Sequence, residues 1–293
     1  MSDLLVTSAL LHESPIIDDS PPPTAAKTGF QLTSLIGPVM VFVLFIGLWY
    51  FMHHWGLRNI FDKPPHLIPS PNEVIDKAFM NPVIRETLFS ALGWTTYTAL
   101  IGLAISIVIG MFMATLMSQA RWLERSMWPY LVAIQATPIL AVVPIIAVVF
   151  GYGVGSRILV CVIIAIFPIV SNTLFGLLSA ETGQHDLFTL RGVGRITRIR
   201  KLLMPAAMPS IFNGFRIAAG LSVIGAVVGE QFFRRGGKKG LGMELVEFQS
   251  RTNYPAMYAC LVLAALLGIT VFVVFGRLSQ LAVGRWYTAT RSG

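Results

Sequence analysis

Charged residues gather in clusters along this chain, and long apolar runs separate them. No Asp, Glu, Lys or Arg occurs in Thr28 to Leu57, Thr87 to Ala120, Ser126 to Ser156, Ile158 to Ala180 or Thr252 to Gly276. A helix needs about 20 mostly apolar residues to cross a bilayer. The pattern predicts six spans, near 34–54, 90–118, 128–150, 157–179, 207–231 and 256–280. The runs are continuous rather than alternating, which excludes a membrane β-barrel. The expected class is therefore all-α, a polytopic membrane helix bundle.

Local signals refine that picture. Prolines 138, 144 and 168 fall inside spans three and four. Such breaks are tolerated where neighbouring helices or a cavity satisfy the freed backbone groups. Ser70-Pro71-Asn72-Glu73 reads as a helix start, with a serine cap, a first-turn proline and a glutamate three residues on. The helix it opens carries Val74, Ile75, Ala78 and Phe79, and is expected to lie along the membrane surface. Gly151 with Gly155, and Gly225 with Gly229, have the spacing of tight helix packing. Arg216, inside span five, calls for a place near the interface or a carbonyl partner.

Composition agrees: 55% of the 293 residues are hydrophobic and 12% charged. A soluble domain carries about 25% charge. The net charge of +8 does not point to nucleic acid, because Lys and Arg lie between the spans, where they normally collect. Cys161 and Cys260 both fall inside spans and read as small apolar residues. Residues 1–30 lack a basic segment leading into a short apolar one, so they read as a flexible tail rather than a cleaved signal. Residues 286–293 read as a second tail. With the N-terminus placed inside, eleven Lys and Arg fall inside against ten outside, so charge bias does not set the topology.

One polar island stands between spans four and five. It runs from Asp186 through Gly192 and Gly194 to Pro205 and Pro209. Helical spacing places Arg191, Arg195 and Arg198 on one stripe, and Ile196, Ile199 and Leu203 on another. A glycine hinge and two contrasting faces suit a docking handle. The prolines after it stiffen the junction with the next span. No enzyme constellation accompanies it. The chain has no Gly-x-x-x-x-Gly-Lys-Ser/Thr phosphate loop, and Gly236-Gly237-Lys238-Lys239-Gly240 lacks its spacing and hydroxyl. No His, Cys and carboxylate group has metal-ligand spacing, and no serine has a Gly-x-Ser-x-Gly setting.

The island resembles the cytoplasmic "EAA" loop of permease subunits in bacterial binding-protein-dependent ABC importers. That loop has Glu-Ala-Ala, three residues, a glycine, and about a dozen more to Leu-Pro. Asp186 stands at the acidic position, Leu187 and Phe188 replace the alanines, and Gly192 to Pro205 has the spacing; Gly194 is the alternative hinge. Other stretches resemble the nitrate/sulfonate/taurine-type branch. They are Leu67-Ile68-Pro69-Ser70-Pro71, Thr137-Pro138 to Pro144 with Phe150-Gly151-Tyr152-Gly153, Phe167-Pro168 to Thr173, Gly214-Phe215-Arg216-Ile217-Ala218, and Gly240-Leu241-Gly242. The match covers roughly 65–285 in order.

The resemblance implies a type I importer permease of about six transmembrane helices in the bacterial inner membrane, with a permease domain over 31–285. Two copies would form the pathway. Two ATPase subunits, which carry the ATP and Mg, would dock on 181–205 through Asp186, Arg191, Gly192, Gly194, Arg195, Ile196, Arg198, Ile199 and Pro205. An extracytoplasmic binding protein would deliver the solute. Both termini and 181–205 would lie inside. The expected solute is a small anion such as a sulfonate, nitrate or bicarbonate; the alternatives are a pyrimidine or vitamin precursor carried by the same machine, or a stand-alone secondary transporter or channel. Gln135, Thr137, Ser171, Asn172 and Arg216 either line the pathway or bond between helices. Glu230, near the outer end of span five, is expected to be solvated at the interface. With Arg234, Arg235, Lys238 and Lys239, it is a candidate contact for the binding protein.

Overall fold

A computed structural model describes residues 33–234 and 238–287. The tail expected over 1–30, most of that over 286–293, and Arg235 lie outside the described residues. Helix α1 (Thr33–Phe51) begins the described chain, and helical turns extend it to Asn59. The chain divides into two units, Met1–Leu48 and Trp49–Gly293, and the second holds everything that follows.

Helix α2 (Pro71–Val74) continues as a wider turn over Ile75–Phe79. Its start is built as the sequence predicts. Ser70 Oγ accepts from Glu73 N, Glu73 accepts from Ser70 N, and Lys77 Nζ sits 2.8 Å from Glu73. That lysine hydrogen bond holds the Glu73 carboxyl below the usual range. Val74 and Ala78 pack with Leu88, Ala256, Ala259 and Cys260.

Helix α3 (Pro82–Gln119) starts well before the expected 90, because Asn81 Oδ1 accepts from Val83 N and Ile84 N and nucleates the helix there. Next come α4 (Arg121–Ala136), α5 (Ile139–Phe150) and α6 (Val154–Leu178). Two short helices follow, α7 (Thr182–Leu190) and α8 (Arg195–Arg198). After them come α9 (Met204–Phe232), α10 (Leu241–Ser250) and α11 (Tyr254–Tyr287).

Five stretches among the described residues are long and apolar enough to cross a membrane, and the pair α4–α5, bent by 98°, makes up to a sixth. The expected straight third span at 128–150 is thus replaced by two helices. Pro138 is the reason. It forces Thr137 into extended backbone, at φ −72 and ψ 125, where the helix cannot continue. With 12 residues, α5 is only about 18 Å long.

The interior of α3, α6, α9 and α11 is made by small residues. Lipid tails are as apolar as leucine, so van der Waals contact holds such helices together. A side-chain carbon at Gly102 on α3 would stand 2.4 Å from Cys161 Cβ, and one at Gly225 on α9 would stand 2.8 Å from Cys161 Cα. Three helices therefore meet at a single buried cysteine. Gly229 also packs on α6, against Arg157. The other expected pair does not pack. Gly155 faces open space, and Gly151, at φ +77, ends α5 instead. These contacts order the bundle. The starts of α3, α6 and α11 and the end of α9 meet at one end, and residues 177–211 gather at the other.

Candidate functional site

At the second end, the polar island folds into two helices joined by a tight turn. Gly192 takes φ +64, a left-handed conformation that favours glycine. Val193 N donates to Phe188 O at 3.2 Å and Gly192 N to Thr189 O at 3.0 Å, which closes α7. Gly194, at φ −64, is ordinary extended backbone and precedes α8. The hinge is therefore Gly192. It also divides the basic stripe expected on one helix. Arg191 sits in the turn, while Arg195 and Arg198 lie on α8. Arg198 Nη2 reaches back to Thr189 Oγ1 at 2.8 Å and ties the two helices.

The apolar stripe divides as well. Ile199 and Leu203 turn inward with Phe188 onto a cluster of Leu177, Leu202, Ala207 and Ile211. Leu190 and Ile196 point away, 86% and 74% exposed, beside half-exposed Leu187. Asp186 and Arg195 are exposed too, and Pro205 stands in the first turn of α9. The segment is thus anchored by one face and presents apolar residues rimmed by charge on the other.

The opposite end corrects the reading of Glu230. It is fully buried, not solvated at an interface, and cannot touch a partner protein. Its Oε2 accepts from Thr95 Oγ1 at 2.9 Å and from Gly242 N at 3.0 Å. Thr95 Oγ1 also accepts from Leu241 N at 2.8 Å. Glycine is required here. A side-chain carbon at Gly240 would fall 2.1 Å from the Glu230 carboxylate, and one at Gly242 2.1 Å from Val227 O. Arg157, at the edge of the expected fourth span, is 1% exposed. It donates to Phe233 O at 2.8 and 3.1 Å and to Lys238 O at 2.8 Å.

The remaining basic residues of that end are accessible. Lys238 lies over the Trp94 ring at 4.2 Å, and Arg234 is exposed. Lys239 is paired with Glu247 and, at 3.8 Å, with Glu244. The lysine hydrogen bond lowers the Glu247 carboxyl, while burial raises that of Glu244. A cavity of about 510 Å³ opens among Glu86, Trp94, Lys238, Lys239 and Glu244.

Mid-bundle candidates divide into two groups. Asn172 on α6 accepts from Asn213 on α9 at 3.0 Å and donates to Pro168 O at 2.8 Å. Ser171 donates to the same carbonyl at 3.4 Å. Asn213, absent from the sequence candidates, is exposed on the same face. Gln135 and Thr137 lie exposed at the α4–α5 bend, and the Thr137 hydroxyl bonds Ala133 O. Arg216, inside the fifth span, is exposed. Its guanidinium stacks 4.0 Å from the Phe272 centroid, beside Gly276.

Residues 106–288 match the family model described as the binding-protein-dependent transport system inner membrane component. The chain belongs to this family. The permease is 33% identical over 227 residues to the formylaminopyrimidine transport permease protein of Halalkalibacterium halodurans, covering 78% of the chain and 89% of that protein. It is 32% identical to the riboflavin transport system permease protein of Chloroflexus aurantiacus, covering 76% and 81%. A putative aliphatic sulfonates transport permease protein of Bacillus subtilis is 25% identical, covering 73% of each. In fold, the permease resembles a chain of an inward-facing MetNI methionine ABC transporter, with a TM-score of 0.60 at 20% identity, covering 69% of this chain and 98% of that one. This is a multi-pass permease of the bacterial inner membrane, a transport component of an ABC importer of the nitrate/sulfonate branch. It works with ATPase and solute-binding partners.

Proposed function

We propose that two copies of this permease form one pathway and that an ATPase subunit docks on each 181–205 segment. The exposed pair Leu190 and Ile196 carries this reading. Large apolar side chains held outward on a charged, bundle-anchored segment need a cover. ATP and Mg belong to the ATPase subunits. The solute-binding protein acts at the opposite end, where Arg234, Lys238 and Lys239 are accessible. The α6–α9 face with half-buried Asn172 and exposed Asn213 turns toward the second copy, because an exposed amide at membrane depth is costly against lipid.

The solute we propose is a small nitrogen heterocycle of the pyrimidine or vitamin-precursor kind. Relatives at 33% and 32% identity are named for formylaminopyrimidine and riboflavin, both nitrogen heterocycles. Amide side chains suit the donor and acceptor edges of such rings. The anion reading is the second. It rests on sulfonate and nitrate permeases at 25–28% identity and on the basic outer loop. Two of that loop's cations are already engaged, by Trp94 and by Glu247.

The test is uptake by cells carrying the complete importer. Labelled aminopyrimidine uptake should resist competition by excess alkylsulfonate and nitrate and should be lost in Asn172→Ala and Asn213→Ala. Competition by the anions alone would reverse the order of the two readings. ATP hydrolysis by the purified permease without an ATPase subunit would sink the partnership.

A further inference from the structure

We propose that the cavity between Trp94 on α3 and Glu244 on α10 is a receiving site for an aminopyrimidine-type ring, which binds there before it enters the pathway. The site rests on the solute proposed above and uses a separate set of residues, at the bundle end opposite the docking segment. The cavity holds about 510 Å³. Small-ligand sites run from about 300 to 1,000 Å³.

Two walls face each other across it. One is a stripe of α3, where Glu86, Ser90 and Trp94 recur at four-residue spacing and so share a helix face. The other is Glu244, in the first turn of α10, with Lys238 and Lys239 just before that helix. The walls are held in register. Leu241 N, at the start of α10, donates to Thr95 Oγ1 at 2.8 Å, and Thr95 adjoins Trp94. A site fixed before its ligand arrives loses less freedom on binding.

The charges decide what such a site accepts. Both lysines are engaged: Lys238 lies over the Trp94 ring at 4.2 Å, and Lys239 pairs with Glu247. The carboxyl groups are the open ones. Glu86 is exposed. Glu244 is 5% exposed, and its ion pair with Lys239 is 3.8 Å long, beyond hydrogen-bond reach. A desolvated carboxyl group therefore lines the cavity with bonding capacity unused, and buried polar groups are normally satisfied. An anion entering here would meet two carboxylates.

A planar nitrogen ring meets complementary groups instead. The Trp94 face suits stacking. Lys238 is exposed, and a stacked ring would replace its contact with the indole. The amino group and adjacent ring nitrogen of a 4-aminopyrimidine set one donor beside one acceptor. A carboxyl group pairs with that edge through two parallel hydrogen bonds, one of them carrying a single shared proton. Burial raises the Glu244 carboxyl, so that proton is held more readily.

The experiment reads binding by saturation-transfer NMR on the detergent-purified complex of permease and ATPase subunits, without the binding protein. Asn172→Ala and Asn213→Ala are present throughout, so that mid-bundle contacts do not contribute. The probe is 4-amino-2-methylpyrimidine, with 2-methylpyrimidine and methanesulfonate as comparisons. This parent should bind the aminopyrimidine at least tenfold more tightly than 2-methylpyrimidine, and excess methanesulfonate should not displace it. Adding Glu244→Leu should weaken binding at least tenfold. Glu244→Gln should stay within a few fold, because an amide offers that edge one acceptor and one donor. Ser90→Phe, which fills the cavity from an exposed position, should abolish binding. Parent-like binding in both Glu244→Leu and Ser90→Phe would overturn the site, as would displacement by methanesulfonate. No binding by the parent, alongside aminopyrimidine uptake by the native importer, would overturn the site and leave the proposed solute standing. A native importer that takes up no aminopyrimidine would overturn the proposed solute, and the site's role with it.

Discussion

Substitution at Gly192 separates the hinge from its neighbour. The residue sits at φ +64 with open space where a side chain would go. Gly192→Ala therefore meets no clash, and its whole cost is backbone strain. An L-residue in the left-handed region costs about 1–2 kcal/mol. That lowers the population of the native turn roughly 5- to 30-fold against alternatives. Gly192→Pro should be worse, because proline holds φ near −65° and removes the N–H that bonds Thr189 O. Gly194→Ser is the control. Its φ of −64 suits any residue, nothing crowds it, and a serine there would cap α8. We expect Gly194→Ser to lie within about 0.5 kcal/mol of wild type or to be more stable. The assay pairs ATPase subunit retained on the detergent-purified permease with solute uptake in cells. Gly192→Ala should lose uptake severalfold with folding intact, Gly192→Pro should lose nearly all, and Gly194→Ser should keep it. Equal effects at 192 and 194 would refute the hinge argument. So would wild-type uptake in Gly192→Pro.

Three further outcomes are expected. Leu190→Asp or Ile196→Asp should release the ATPase subunit without changing the thermal stability of the isolated permease, because neither side chain is buried; co-purification checks this. Gly225→Leu should prevent stable folding, since its first side-chain carbon already overlaps α6 at 2.8 Å from Cys161 Cα; yield of monodisperse protein is the readout. Glu73 has a lowered pKa when folded, so its contribution is fully present above the unfolded value and is lost as pH falls through the folded one. Hydrogen exchange over 71–79 should rise on acidification below the ordinary carboxylate range, and Glu73→Gln should remove that dependence.

The spans and the docking segment were legible because their signals are local. Runs without charge, the Ser70 cap and the Asp186 to Pro205 spacing can each be read within twenty or thirty residues. The buried contacts of Glu230 and Arg157 were not legible. Thr95 meets Glu230 across 135 positions and Arg157 meets Phe233 across 76, so a loop-end glutamate and a span-end arginine looked solvent-facing. The Gly240-Leu241-Gly242 run was the available hint, since two glycines flanking one leucine mark a close approach. The α4–α5 bend shows a different failure. Pro138 was visible, but the unbroken apolar run around it outweighed the break. At 192 and 194, backbone angle alone distinguishes two glycines that spacing leaves equivalent.

The cysteine at the meeting point of α3, α6 and α9 has a practical consequence. Cys161 and Cys260 are the chain's only thiols, and both are fully buried. A membrane-impermeant maleimide has no route to either while the bundle is intact. The native chain can therefore serve as its own blank for single-site reporters at Ile196, Arg200 or Lys238. Replacing Cys161 to make a thiol-free background would carry a risk of its own, because anything larger than alanine or serine must fit between Gly102 and Gly225.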